Sequence, residues 1–88
     1  MEVKGYKIEA YAELAGADLE KADLSGVDLA SANLQGANLQ GANLYVAYLA
    51  GANFKNTHLA NSKLTEANLI GANLAGANWQ GFAGRMSI

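Results

Sequence analysis

ANLQGANLQGANLYVAYLAGANF, residues 32–54, repeats a unit of five residues, and the way that unit is read decides the fold. Leu34, Leu39, Leu44, Leu49 and Phe54 stand five apart. The spacing runs back through Leu29, Leu24 and Leu19 to Leu14, and on through Leu59, Leu64, Leu69 and Leu74 to Trp79. Two residues before each central residue stands a small or β-branched one, Ala in most units and Val27, Thr57 or Ser62 in the others. Two residues after most of them stands Gly. Residues 12–81 are therefore one unit written fourteen times, and a fixed internal period takes precedence over any local motif.

Five residues suit neither simple element. On an α-helix a step of five advances about 500°, so the leucines would spiral around the axis and form no buried stripe. On a straight strand an odd step sends successive leucines to opposite faces. The pattern closes only if each unit is a short extended piece, with its small residue and its Leu both inward, followed by a turn that resets the phase. The remaining columns supply that turn. The position before the Leu is Asp18, Asp23, Asp28, Asn33, Asn38, Asn43, Asn53, Asn68, Asn73 or Asn78 in most units, side chains that bond nearby backbone in turns. The position two after it is Gly16, Gly26, Gly36, Gly41, Gly51, Gly71, Gly76 or Gly81, which takes the positive φ of a type II turn without steric cost. Each pentapeptide is one side of a coil.

The motif A-[DN]-L-x-G, as in Ala17-Asp18-Leu19, Ala37-Asn38-Leu39 through Gly41 and Ala72-Asn73-Leu74 through Gly76, resembles the pentapeptide-repeat family over about four fifths of the chain. The resemblance implies an all-β fold, a right-handed quadrilateral parallel β-helix with four pentapeptides per coil and about three and a half coils; spacing alone does not separate four sides from three. Residues 1–11 break register and are expected to cap the first coil, with Val3, Tyr6, Ile8 and Tyr11 as a cover that is either a helical turn or a short strand. Residues 12–81 form the coil. Residues 82–88 make a short C-terminal cap or a dimer contact, in which Trp79, Phe82, Met86 and Ile88 are the candidate apolar end.

Composition narrows the chemistry. The chain has no Cys and no Pro, so disulfides and thiolate metal sites are excluded. Its first eleven residues are charged and lack an apolar stretch, so neither a secretory leader nor a membrane span is expected, and a cytoplasmic location follows by default. His58 is the only histidine and has Asn38 and Asn78 as its neighbours twenty residues away. Neither is a carboxylate, which a metal or acid–base role would need. Thr57 and Ser62 lie in the inward column, where a hydroxyl bonded to backbone is expected and a nucleophile would need an adjacent base. The glycines recur without opening a helix, so there is no phosphate loop. No cofactor, metal or catalytic residue is expected, and an enzyme is unsupported.

Two departures from the repeat remain. Residues 1–31 hold Glu2, Glu9, Glu13, Asp18, Glu20, Asp23 and Asp28 against Lys4, Lys7 and Lys21, whereas residues 32–88 hold only Glu66 against Lys55, Lys63 and Arg85. The other departure is Tyr45, Val46 and Tyr48, apolar at outward positions and stacked near Ala30, Ala50 and Ile70. Tyr45, Val46, Tyr48 and Ile70 are the candidate partner patch. Some members of the family mimic duplex DNA to inhibit or protect a type II topoisomerase such as gyrase, which is the alternative the resemblance carries. Charge argues against it. About 17 Å of rod at one charge per about 1.7 Å needs about ten negative charges, and the chain has a net charge of −2. No continuous basic stripe points to direct nucleic-acid binding. The expected function is a structural or protein–protein interaction module with an unassigned protein partner.

Overall fold

The structure, a computed structural model, describes residues 1–81 and 84–87. Phe82 and Ile88, two of the candidate dimer residues, lie outside the described residues, and of Met86 only the backbone is described. Residues twenty apart pair in parallel: Glu13 with Asn33, Asn33 with Asn53 and Asn53 with Asn73 form one ladder, and Asp18, Asn38, His58 and Asn78 form the next. A third ladder joins Asp23, Asn43 and Lys63, and a fourth joins Asp28, Tyr48 and Asn68. One coil thus takes twenty residues and holds four pentapeptides. The chain is a β-helix solenoid, with no helix among the described residues.

The unit Ala32–Gly36 shows why the pattern folds this way, because each of its five amides has an acceptor, of four kinds. Ala32 N–H closes the preceding turn on the Leu29 carbonyl at 3.0 Å. Asn33 N–H reaches the coil below, at Ala12 O, 2.9 Å. Leu34 and Gly36 reach the coil above, at Asn53 O and Lys55 O, 2.8 and 2.9 Å. The fifth, Gln35 N–H, is taken by the side chain of Asn33, whose Oδ1 accepts at 3.1 Å. Buried or half-buried backbone must be paired somewhere, and here the Asx column supplies the one acceptor the ladder cannot. All ten Asp and Asn residues named for that column make the same bond, at 3.0–3.2 Å.

The turn position two after the central residue has positive φ in every unit, from 51° to 75°. Glycine does not decide this. Lys21, Ser31, Val46, Asn56, Asn61 and Glu66 adopt it as well, so the corner keeps the same backbone whatever residue stands there. Most of these side chains are stacked under a glycine of the next coil. A Cβ on Gly41 would lie 3.2 Å from Lys21 Cγ, one on Gly51 would lie 3.2 Å from Ser31 Oγ, and one on Gly76 would collide with Asn56 Oδ1.

The interior is filled by the two inward columns. Leu19 through Leu69 at the central positions and Ala32 through Ala52 before them are at most 1 % exposed, with Phe54 enclosed among them. A small or β-branched residue is required there because leucines from four sides share the same cross-section at close-packed density. Leu74 and Trp79, in the uppermost coil, are half-buried and pack against the core.

The N-terminal segment is an antiparallel hairpin, β1 (Glu2–Val3) and β2 (Tyr6–Lys7). Ile8 closes the bottom of the core, and Val3 and Tyr6 pack against it. Tyr11 behaves otherwise than expected. It does not cover the first coil but is 79 % exposed. Its N–H bonds to Ala30 O at 2.8 Å and its φ is 65°, so it already occupies the turn position of a coil that begins at Glu9. At the other end β4 (Met86–Ser87) pairs in parallel with β3 (Ala67–Asn68), Ala67 facing Met86 and Asn68 facing Ser87. That register is nineteen residues rather than twenty, so the last corner is one residue short.

Candidate functional site

His58, Thr57 and Ser62 are the residues that the repeat leaves with side-chain chemistry of their own. His58 lies on the exposed surface, bridged by Asn38 below and Asn78 above. Thr57 is fully buried, and its hydroxyl donates to the Leu34 carbonyl at 2.6 Å, the structural role expected of it. Ser62 departs from that expectation: it is equally buried, but its Oγ has no partner among the described residues. The equivalent acceptor one side on is the Leu39 carbonyl. No group of three or more metal-ligating side chains occurs among the described residues. Among the described residues no helix is long and apolar enough to cross a membrane.

The acidic coil is a ring and not a cluster. Glu13, Asp18, Asp23 and Asp28 stand one on each side of the first coil, pointing in four directions. The Asp carboxylates are engaged in the turns; Asp23 accepts from both the hydroxyl and the N–H of Ser25, at 2.8 and 3.1 Å. These bonds, the side-chain one foremost, hold its carboxyl below the ordinary 3.8.

The apolar departures do converge. Tyr45 and Val46 occupy the corner leading to the fourth side of the second coil, and Tyr48 is the first outward residue beyond it. Tyr48 lies directly between Asp28 and Asn68 in its ladder. Gly51 N–H bonds to Ile70 O at 2.9 Å, and Ser31 N–H bonds to Ala50 O at 2.9 Å. The outward column beside Tyr48 therefore runs Ala30, Ala50, Ile70. Tyr45, Val46, Tyr48 and Ile70 are 43–57 % exposed. Tyr11, expected in the cap, sits under Ser31 at the foot of the same side. Carrying the turn column back five residues from Gly16 would have placed it there.

This face departs from the prevailing unit, as do the other non-Gly corners and the non-Asx residues Glu13, His58 and Lys63. Val46 holds a φ of 51°, a region where a β-branched residue is a steric outlier. Tyr48 stands where an Asx acceptor belongs, so Ala50 N–H finds no acceptor among the described residues. Tyr45 Oη reaches across the corner to Glu66 Oε2 at 3.4 Å. Backbone strain gathers at functional sites, and contiguous exposed apolar patches gather at interaction surfaces.

Comparison with known proteins bears on the family. The family model for pentapeptide repeats matches residues 11–45 and 47–81, in eight copies. No curated protein matches the chain significantly. Among solved structures, a pentapeptide repeat protein of the Arabidopsis thaliana thylakoid lumen superposes with a TM-score of 0.65 at 32 % identity, over 86 % of this chain and 57 % of that one. One from the cyanobacterium Cyanothece 51142 gives 0.51 at 38 % identity, over 85 % of this chain and 52 % of that one. HetL of Nostoc sp. strain PCC 7120, involved in regulating heterocyst differentiation, gives 0.55 at 36 % identity, over 83 % of this chain and 36 % of that one. The chain spans less than two thirds of the length of each of these similar proteins.

Proposed function

Because the chain belongs to the pentapeptide-repeat family, we propose that it is a non-catalytic interaction module: a right-handed quadrilateral β-helix of about three and a half coils that presents its fourth side to a protein partner. The observation that carries this reading is the coincidence, on one face, of exposed Tyr45, Val46, Tyr48 and Ile70 with a β-branched residue at positive φ and an Asx acceptor replaced by an aromatic ring. A residue at φ 51° that is Val rather than Gly, and a Tyr where Asn would bond Ala50 N–H, both work against the coil. The regulatory role stated for HetL is in keeping with a scaffold that acts by contact.

The test is quantitative capture of partners from the native cell, comparing the native chain with Tyr45→Ser/Tyr48→Asn. The new Asn regains about 1 kcal/mol of hydrogen bonding, which offsets the packing of the two half-exposed rings, so stability should stay within about 0.5 kcal/mol. Recovery of the specific partner should fall at least tenfold, and undiminished recovery would remove this face from the reading. A homodimer through Trp79 and the C-terminal residues belongs to the same proposal as a secondary contact; sedimentation of a monomeric native chain would end it. The second reading, a topoisomerase-directed DNA mimic, rests on the ring of Glu13, Asp18, Asp23 and Asp28 alone.

A further inference from the structure

We infer that the occupant of the fourth side is an amphipathic α-helix with basic flanks, lying along the solenoid axis; this rests on the reading of that face as the partner surface. The first reason is the backbone. Around Tyr48 the ladder bonds run along the axis, from Tyr48 N–H to Val27 O in the coil below and from Leu49 and Gly51 N–H to Asn68 and Ile70 O in the coil above, and of the five amides of that unit only Ala50 N–H is left without an acceptor among the described residues. Free strand edges exist only at the ends of a solenoid. A strand laid against a side would find no ladder to join. A partner that covers this face must bring a backbone whose own hydrogen bonds are satisfied, which a helix does.

Spacing is the second reason. Ala30, Ala50 and Ile70 rise by about 4.8 Å per coil, close to the pitch of about 5.4 Å that separates helix residues i, i+4 and i+7. Over the two steps from Ala30 to Ile70 the mismatch is only about 1 Å, so apolar residues on one helix stripe can follow the column. The small Ala30 and Ala50 leave a floor beside Tyr48, with Tyr11 at its foot and Ile70 at its head. The body measures 27 × 23 × 22 Å, which gives one face roughly 600 Å², below the about 800 Å² per partner of a standard interface. A helix of about 12 residues, about 18 Å long, matches the rise of about 17 Å of the stacked coils, whereas a globular partner or second copy would be short of contact.

Charge supplies the third. Asp28 is stacked under Tyr48, Asp23 stands on the adjoining side, and Glu66 lies across the corner against Tyr45 Oη. Carboxylates bracket the apolar centre at both ends, and Lys63 is the cation on the adjoining ladder. Lysine or arginine at the helix edges complements this arrangement, and an anionic bilayer is repelled by it.

The test uses the full chain, labelled with 15N, and three synthetic 14-residue probes with one leucine stripe: one with Lys on the flanks, one with Glu, and the Lys version broken by a central Pro. The Lys peptide should shift the amides of Tyr45–Gly51 and Ile70, and Ile70→Ser or Tyr48→Asn should weaken its binding at least tenfold. Equal binding of the Glu or Pro-broken peptide overturns the helix chemistry while leaving the face in place. Shifts centred on Asp18 and Asp23 that persist in Ile70→Ser, or no shifts at millimolar peptide, overturn both the occupant and the face. Stronger association with phosphatidylglycerol vesicles than with the Lys peptide overturns it in favour of a membrane.

Discussion

Two hydroxyls in the same interior column of the third coil are expected to respond to removal with opposite signs. Thr57 and Ser62 are both 0 % exposed, and each stands where most units carry Ala. Thr57 Oγ1 donates to Leu34 O at 2.6 Å; Ser62 Oγ has no partner among the described residues. A buried polar group left unsatisfied costs about 1–3 kcal/mol. Ser62→Ala removes that cost and leaves a void of about 20 Å³, worth roughly 0.5 kcal/mol. The net effect is a stabilisation of about 1 kcal/mol, or about 4–8 °C in Tm for a domain of this size. Thr57→Ala loses a made hydrogen bond, about 1 kcal/mol, and one buried methyl, about 1 kcal/mol more, and so destabilises by about 2 kcal/mol. Thr57→Ser separates the two losses by removing only the methyl. Urea unfolding of the three variants at constant m-value is the assay. A Ser62→Ala that destabilises by more than about 0.5 kcal/mol would refute the unpaired assignment.

Further outcomes follow from the turns and the charges. Asn43→Ala leaves Tyr45 N–H without its 3.0 Å acceptor and should cost about 1 kcal/mol in urea unfolding. Gly36→Ala meets no atom within 4 Å and suffers only from its φ of 70°, about 1–2 kcal/mol; Gly76→Ala also strikes Asn56 Oδ1 and should cost about 1 kcal/mol more, a difference that Asn56→Gly removes. The Asp23 carboxyl is held below its ordinary 3.8 by Ser25, so its contribution to stability is complete above about pH 4 and is lost as pH falls through the lowered value. Ser25→Ala should raise the Asp23 titration midpoint followed by NMR. Inhibition of gyrase supercoiling should be absent at micromolar protein; clear inhibition would promote the DNA-mimic reading.

The inward columns, the Asx column and the outward patch were legible because each follows from the five-residue period and from side-chain chemistry. Leu34 had to be inside if Ala32 was, and Asn33 had to serve the turn. Coil length was not legible, since three or four sides satisfy the same period, and only the pairing of residues such as Asp28 with Tyr48 settles it. The left-handed backbone of Val46 and Glu66 was hidden because composition signals positive φ only where Gly stands, whereas the corner imposes it on any residue. Tyr11 was misplaced for a related reason: its unit lacks the Leu, yet its backbone already follows the coil. The contrast between Thr57 and Ser62 depends on a rotamer, which no column reveals.

The fourth side forms one face only if Ile70 lies one coil above Ala50. Scalar couplings through hydrogen bonds, read by NMR on the native chain, test this directly. A twenty-residue coil requires a coupling from Leu49 N–H to the Asn68 carbonyl and from Gly51 N–H to the Ile70 carbonyl, bonds of 2.8 and 2.9 Å. Couplings from these amides to Lys63 and Thr65 instead, the register of a three-sided coil, would contradict the stacking and take Ile70 off the face.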